Sequence, residues 1–164
     1  MSFKLPIDYF RLGSCIVLCE AVGVVGGLFT ASSVSTWYAT LARPSFNPPN
    51  WVFGPAWTLL YLLMGISLYI VWQHRGEMRK KRRAIILFLI QLGLNAAWSL
   101  IFFGLRSPLW AFADIMVLWV LILVTVVSFW KISQPAALLL IPYLLWVSFA
   151  AVLNYSIWNL NPAT

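Results

Sequence analysis

Apolar runs of about 20 residues recur five times along this chain, separated by polar links that are mostly short. A helix of that length, at 1.5 Å per residue, crosses the ~30 Å of hydrocarbon in a bilayer. Only 9% of the 164 residues are charged and 62% are hydrophobic. A soluble domain has roughly a quarter of its residues charged. The solvent for this fold is therefore lipid. The chain reads as an all-α integral membrane protein, one domain over 1–164, built as a single bundle of five transmembrane helices. The expected spans are 12–31, 48–72, 84–104, 109–130 and 136–158. The first run follows Lys4, Asp8 and Arg11 like a signal peptide, but it lacks a small-x-small cleavage site and is read as a retained helix. Most connections are short, which predicts antiparallel neighbours for successive helices.

The long exception, Ser32 to Asn47, leads into the stretch RPSFNPPNWVFGPAWTLLY. Pro44, Pro48 and Pro49 stiffen this approach to the second span. Asn47 before Pro48 is a good helix start, since a side-chain oxygen can cap free N–H groups and proline fits the first helical position. Asn50 is a second candidate cap. Pro55 would free the carbonyl of Trp51 if the helix had already begun there. In lipid a freed carbonyl needs a partner or a wet cavity. This helix mouth is therefore expected to line a cavity, with Trp51, Phe53, Trp57 and Tyr61 around it.

The net charge is +7, and six of the eleven basic residues fall between Arg75 and Arg83. Such a cluster beside a span fixes orientation and touches anionic lipid, so nucleic acid is not an expected partner. Five spans place Lys4, Arg11, Arg75, Arg79, Lys80, Lys81, Arg82, Arg83 and Lys131 on one side, and only Arg43 and Arg106 on the other. The bias predicts a cytoplasmic N-terminus and an outward C-terminus, in a bacterial inner membrane. Cys15 and Cys19, four apart on one helix, read as small packing residues. His74 is the only histidine, and no metal cluster is expected.

Tryptophan is over-represented, with ten in the chain. Trp37, Trp51, Trp72, Trp110, Trp130 and Trp158 lie near span ends, as interfacial anchors do. Trp57, Trp98, Trp119 and Trp146 lie deeper, where an indole N–H wants a partner or a polar ligand. Steps of three and four put Gln91, Asn95 and Trp98 on one helix face. The same holds for Trp57, Tyr61 and Met64, and for Tyr143, Trp146, Ala150 and Asn154. These stripes fit either ordinary bundle packing with interhelical amide bonds or a flat, aromatic-walled pocket. Pro142 frees the carbonyl of Leu138 and kinks the last span, which favours the pocket. Glu20, near mid-span, must be protonated, paired or facing a wet interior, in a structural or a ligand role. Asp114 is either interfacial or paired with Arg106. Gly23 with Gly27, and Gly93 with Ala97, are small-residue pairs of the kind that bring helices close, within a bundle or across a dimer.

Several separate blocks in order resemble the TspO/MBR family, the tryptophan-rich sensory proteins related to the mitochondrial translocator protein, also called the peripheral benzodiazepine receptor. They are Trp37-Tyr38, Leu41 with Arg43-Pro44, NPPNWVFGPAW, LLYLLMGIS, QLGLNAAWSLIFFG, PYLLWVSFA and LNYSIW, covering nearly everything after residue 20. The resemblance implies a five-helix bundle, a homodimer, and binding of porphyrins and hydrophobic drug-like ligands under the first extramembrane loop. The implied ligand-binding residues are Tyr38, Pro44, Trp57, Tyr61, Asn95, Trp98, Trp146, Ala150, Leu153 and Asn154. Some bacterial members of that family degrade protoporphyrin in light, and Trp57 and Trp146 match the positions implied as catalytic there. One departure concerns the family's sterol-recognition segment: no basic residue follows Tyr155, so sterol binding is not expected.

The leading expectation is thus a membrane protein that binds tetrapyrroles such as protoporphyrin IX and acts as sensor, carrier or regulator. It needs no cofactor; porphyrin is its ligand. The alternative is light- and oxygen-dependent porphyrin breakdown, although no conventional catalytic constellation is present. A small-molecule transporter is the second alternative, weakened by the lack of visible repeats.

Overall fold

The computed structural model describes residues 7–162. It contains the five long helices that run length demands; the first, third and fifth extend several residues beyond the expected spans, while the second and fourth match theirs to within two residues at each end. α1 spans Tyr9–Val34, and a short α2, Trp37–Thr40, follows it. A 3-10 turn, Asn50–Val52, leads into α3, Phe53–Gln73. α4, Met78–Ser99, continues into a π-helical turn, Leu100–Gly104. α5 is Pro108–Trp130, and the last span is broken into α6, Gln134–Leu139, and α7, Ile141–Leu160. No strand occurs among the described residues.

Several boundaries have visible causes. Asp8, not a residue nearer Leu12, caps α1: its Oδ1 accepts from Arg11 N at 3.0 Å. α4 starts at Met78 because the basic segment 79–83 is made of good helix formers and needs no lipid to wind. Ser107 and Ser133 precede the helix-starting Pro108 and Pro135 as expected, in extended conformation and without side-chain capping bonds. Pro142 falls in the first turn of α7, just after the break at Leu140, so the last span is interrupted there. Lys4 lies outside the described residues.

The second-span start corrects the expectation for Asn47. The helical turn begins at Asn50, and Asn47 instead accepts from the Tyr38 hydroxyl at 2.8 Å. With α3 starting at Phe53, Pro55 sits in its first turn, where a missing N–H costs no helical bond. Trp51 then points away from the bundle and is 74% exposed, so it does not join the ring of Phe53, Trp57 and Tyr61.

The helices form a ring in which α1 lies between α3 and α4, and α5 lies between α4 and α7. This differs from simple succession. α3 and α4 are joined by a short link yet touch sparingly, because α1 packs against both. Glycine allows that approach: a Cβ added to Gly65 would come within 2.7 Å of the Ile16 backbone, and one on Gly26 within 3.0 Å of Ser99 Oγ. Ser33 Oγ also donates to the Phe103 carbonyl at 2.8 Å.

The core divides into two clusters. One, around Cys15, Cys19, Met64, Leu68, Phe88, Phe129 and Tyr143, fills the half of the bundle nearer the start of α1. Both cysteines are buried free thiols within it. At that end Asp8 N donates to the Tyr69 hydroxyl at 3.0 Å, and Arg11 lies over the Trp72 ring while pairing with Asp8. The second cluster, Tyr38, Leu41, Phe102, Phe103, Ala111, Leu153 and Ile157, lies under the long loop. Between them is a hollow.

Candidate functional site: an aromatic hollow

The hollow measures about 430 Å³. From α3 it is walled by Phe53, Gly54, Trp57, Thr58 and Tyr61. From α4 and its π turn come Trp98, Ser99, Phe102 and Phe103; from α7 come Trp146, Ala150, Leu153, Asn154 and Ile157. Tyr38 of α2 closes the end under the loop.

The rings are held against one another. Trp57 stacks on Tyr61 with centroids 5.5 Å apart and meets Trp146 edge-on at 6.5 Å. Phe53 meets Trp146 at 6.1 Å. Trp98 stacks on Phe102 at 5.2 Å, and Tyr38 leans on both Phe102 and Phe103. Offset and edge-on contacts of this kind add about 0.5–1.5 kcal/mol each beyond burial. The π turn explains how consecutive Phe102 and Phe103 both turn inward. The Leu105 N–H reaches back five residues to the Leu100 carbonyl at 2.8 Å, shifting the register of the turn.

Beneath the hollow runs a buried polar chain. The Tyr61 hydroxyl donates to Asn95 Oδ1. Asn95 Nδ2 donates to the Tyr143 hydroxyl at 3.1 Å, which donates to Gln91 Oε1 at 2.9 Å. These groups join α3, α4 and α7, so the amides at steps of four in α4 serve as the floor of the hollow. Gln91 Nε2 and Asp114 Oδ2 are buried with no partner among the described residues. Asp114 is therefore not paired with Arg106.

Tryptophan roles separate by their N–H groups. Trp98 Nε1 donates to Asn154 Oδ1 at 3.0 Å, and Asn154 Nδ2 donates to the Pro108 carbonyl at 2.8 Å. Trp119, off the hollow, donates to Ser148 at 2.8 Å. Trp57 and Trp146 make no N–H bond among the described residues, so both donors remain for a ligand.

Of the residues the resemblance implied, Tyr38, Trp57, Tyr61, Trp98, Trp146, Ala150, Leu153 and Asn154 share this one wall. Asn95 stands behind it and holds Tyr61. Pro44 lies above, in a separate shallow depression with Arg43, Asn47, Pro48 and Pro49. That loop is clasped to the C-terminal end: Ala42 N donates to Asn161 Oδ1 at 3.0 Å, and Asn161 Nδ2 donates to the Ala42 carbonyl at 2.9 Å. The Arg43 guanidinium lies 5.5 Å from the centre of the Tyr38 ring. Burial pushes the Tyr38 hydroxyl above its usual range, opposed by Arg43 and by the bond to Asn47.

α1 supplies a part of the wall that the aromatic stripes did not signal. Glu20, Gly23, Gly27, Thr30 and Val34, at steps of three and four, face the hollow together with Val24, Gly26 and Ala31. Gly23 touches the Tyr61 ring, so a Cβ there would sit 2.5 Å from Cδ2 and Cε2; at Gly27 nothing lies within 4 Å. Gly23 therefore packs inside the chain against Tyr61, while Gly27 borders the hollow with open space beside it. Glu20 has no hydrogen-bond or ion-pair partner among the described residues. A charge at such depth costs about 2.5–3.5 kcal/mol or more.

Residues 15–159 match the sequence model of the TspO/MBR family. The chain is 48% identical to "Tryptophan-rich protein TspO" of Chlorobaculum tepidum, over 92% of this chain and 96% of that protein. It is 46% identical to the protein of the same name from Archaeoglobus fulgidus, over 94% and 99% of the two chains. The human "Translocator protein" is 41% identical over 84% of this chain and 82% of its own length.

Proposed function

This chain belongs to the TspO/MBR family of integral membrane proteins, and from that premise we propose that its hollow binds tetrapyrroles such as protoporphyrin and other flat hydrophobic ligands. The observation that carries the reading is the pair Trp57 and Trp146: two rings bordering one cavity, edge to face, with both indole N–H groups uncommitted. A cavity of about 430 Å³ lies in the range of small-molecule sites, which are mostly apolar with a few polar fixings. A tetrapyrrole offers a wide π face to the indoles. Its carboxylates would turn toward Arg43, the basic residue by the mouth. The basic ends of α1 and α4 then lie on the cytoplasmic side of a bacterial inner membrane, and the mouth faces outward. The relatives' names describe one set of proteins by their tryptophans and another as translocators; here binding is the shared step, serving sensing or carriage.

The test is quenching of tryptophan fluorescence by protoporphyrin IX in the purified chain. Trp146→Ala and Tyr38→Ala should each weaken apparent binding by about tenfold, the loss expected for about 1.4 kcal/mol of contact. Unchanged titrations in both variants would remove the hollow as the site.

Photo-oxidative breakdown of the bound pigment is the second reading. It is favoured by the run of ring contacts from Trp146 through Trp57 to Tyr61, along which an oxidised indole could be refilled by its neighbour. Under light and oxygen the protein should then bleach protoporphyrin faster than free pigment bleaches, and Trp57→Phe should slow it. A homodimer would use the outward face of α4, where Gly93 is exposed beside Ile86, Leu89 and Ile90.

A further inference from the structure

The hollow is not closed on the α1–α3 side. Below, the two helices meet through Gly65 on Ile16 and Gly23 on Tyr61. Above Tyr61 they part: Gly27 of α1 and Gly54 of α3 have nothing within 4 Å of where a Cβ would stand, and Val24, Ala31 and Thr58 are hollow-lining yet exposed. The result is a side window toward the membrane, and Glu20 is the α1 wall residue at its inner end.

Apart from the free Trp57 and Trp146 N–H donors, several polar groups on the wall are already engaged. Tyr61 donates to Asn95, Trp98 to Asn154, Thr30 to the Gly26 carbonyl and Thr58 to the Gly54 carbonyl. The carboxyl of Glu20 has no partner among the described residues, and no basic residue lines the hollow. Arg11 is paired with Asp8 below, and Arg43 lies over Tyr38 at the mouth. The one acid on the wall, Glu20, thus stands at the inner end of the window, and Arg43 lies outside the hollow beyond Tyr38. A lone carboxyl in a poorly screened setting favours a counter-charge brought by a ligand, because a charged pair there attracts far more strongly than in water.

We propose that Glu20 is a specificity-determining residue of the hollow, selecting flat hydrophobic ligands that carry a cationic amine, with the nitrogen at Glu20 and the apolar body against Trp57 and Trp146. This rests on the hollow being a ligand site but not on the ligand being a porphyrin. The same carboxyl repels the carboxylates of an acidic ligand, which would sit at the opposite end, nearer Arg43.

Three probes of one shape separate the contributions: 1-pyrenemethylamine, 1-pyrenemethanol and 1-pyrenecarboxylic acid. Binding to the full chain in phosphatidylcholine nanodiscs is read as energy transfer from tryptophan to pyrene, with empty nanodiscs correcting for partitioning. The wild type should bind the amine about tenfold more tightly than the alcohol, as one charge-assisted contact would give. Glu20→Gln should bring that ratio close to one by weakening the amine much more than the alcohol, and should strengthen the acid. Glu20→Asp, which keeps the charge, should retain part of the preference and guards against a folding artefact. If all three probes bind and protoporphyrin displaces them, but the amine-to-alcohol ratio is the same in Glu20→Gln, the role of Glu20 is refuted and the hollow stands. If no probe gives transfer above the empty nanodisc, both the ligand site and the role of Glu20 fall.

Discussion

Gly23→Ala and Gly27→Ala are the same substitution four residues apart on one helix, yet the structure gives them different consequences. A methyl at position 23 would stand 2.5 Å from two carbons of the Tyr61 ring. Comfortable carbon contacts are about 3.5–4.0 Å, so the ring must withdraw by about 1 Å. It has little room. Its hydroxyl is fixed by Asn95, its face is stacked on Trp57, and the residue is 5% exposed. Overpacking of this kind costs about 1–3 kcal/mol. At position 27 nothing lies within 4 Å, so no such cost arises. Alanine improves helix propensity equally at both positions, by about 0.8–1.0 kcal/mol. That gain cancels in the comparison, and the two variants should differ by the overpacking cost alone. For a chain of this size 1 kcal/mol moves Tm by about 2–4 °C, so Gly23→Ala should melt roughly 2–12 °C below Gly27→Ala. Thermal unfolding of the purified variants in one detergent, followed by circular dichroism, reads the gap. Moving Tyr61 also disturbs Trp57, so Gly23→Ala should weaken protoporphyrin quenching as well. Equal melting temperatures, or loss of a dimer to the same degree in both variants, would refute this account and put the glycine pair on a helix contact between chains.

Two further perturbations probe the parts that frame the hollow. Tyr143→Phe removes the acceptor for Asn95 Nδ2 and the donor to Gln91 Oε1, leaving both amides short of partners in the core. Interhelical bonds in membranes are worth about 0.6 kcal/mol on average and about 1.7 at most, so two should cost about 1–2 kcal/mol in SDS-driven unfolding; a cost indistinguishable from zero would mean the chain of bonds does not hold the floor. Asn161→Ala deletes both bonds to Ala42, and hydrogen exchange in 41–50 should rise by about tenfold or more while α3–α5 stay unchanged; unaltered exchange would show that the loop does not depend on this clasp.

How legible all this was in the sequence depends on what each feature is made of. Five spans followed from run length, because lipid leaves little choice for a long apolar stretch. Span ends were less legible: α4 gains a turn and a half from charged residues, which carry helix propensity but no hydropathy. Trp57, Tyr61, Trp98, Trp146, Ala150 and Asn154 could be grouped because their spacing fixes a common helix face and large rings announce themselves. Trp51 could not be placed the same way. At about 100° per residue, Trp51 lies well off the face that Phe53, Trp57 and Tyr61 share at steps of four, and the 3-10 turn that holds it keeps it outside the bundle. The α1 wall was hidden because its contribution is missing side chains, and a glycine that makes room for a ligand reads like one that makes room for a helix. Phe102 and Phe103 were hidden by the π turn, which lets adjacent residues share an inward face that ordinary helical spacing would separate.

The window between α1 and α3 also answers a question of stability. Deleting core volume costs about 24 cal/mol per Å³ of cavity, so a sealed, empty hollow of about 430 Å³ would cost ~10 kcal/mol. That rivals the entire stability of a typical protein, about 5–15 kcal/mol. A bundle with such a void would collapse on it unless something filled the space. Gly27, Gly54 and the exposed Val24, Ala31 and Thr58 leave the hollow continuous with the surrounding acyl chains, so lipid can enter from the side. With lipid tails in the hollow, ligand binding would be an exchange in which a flat ring system displaces flexible chains. Apolar burial changes little in that exchange, because both occupants are apolar. Discrimination must come from what lipid tails lack: rigid π faces for Trp57 and Trp146, acceptors for their N–H groups, and a charge to meet Glu20.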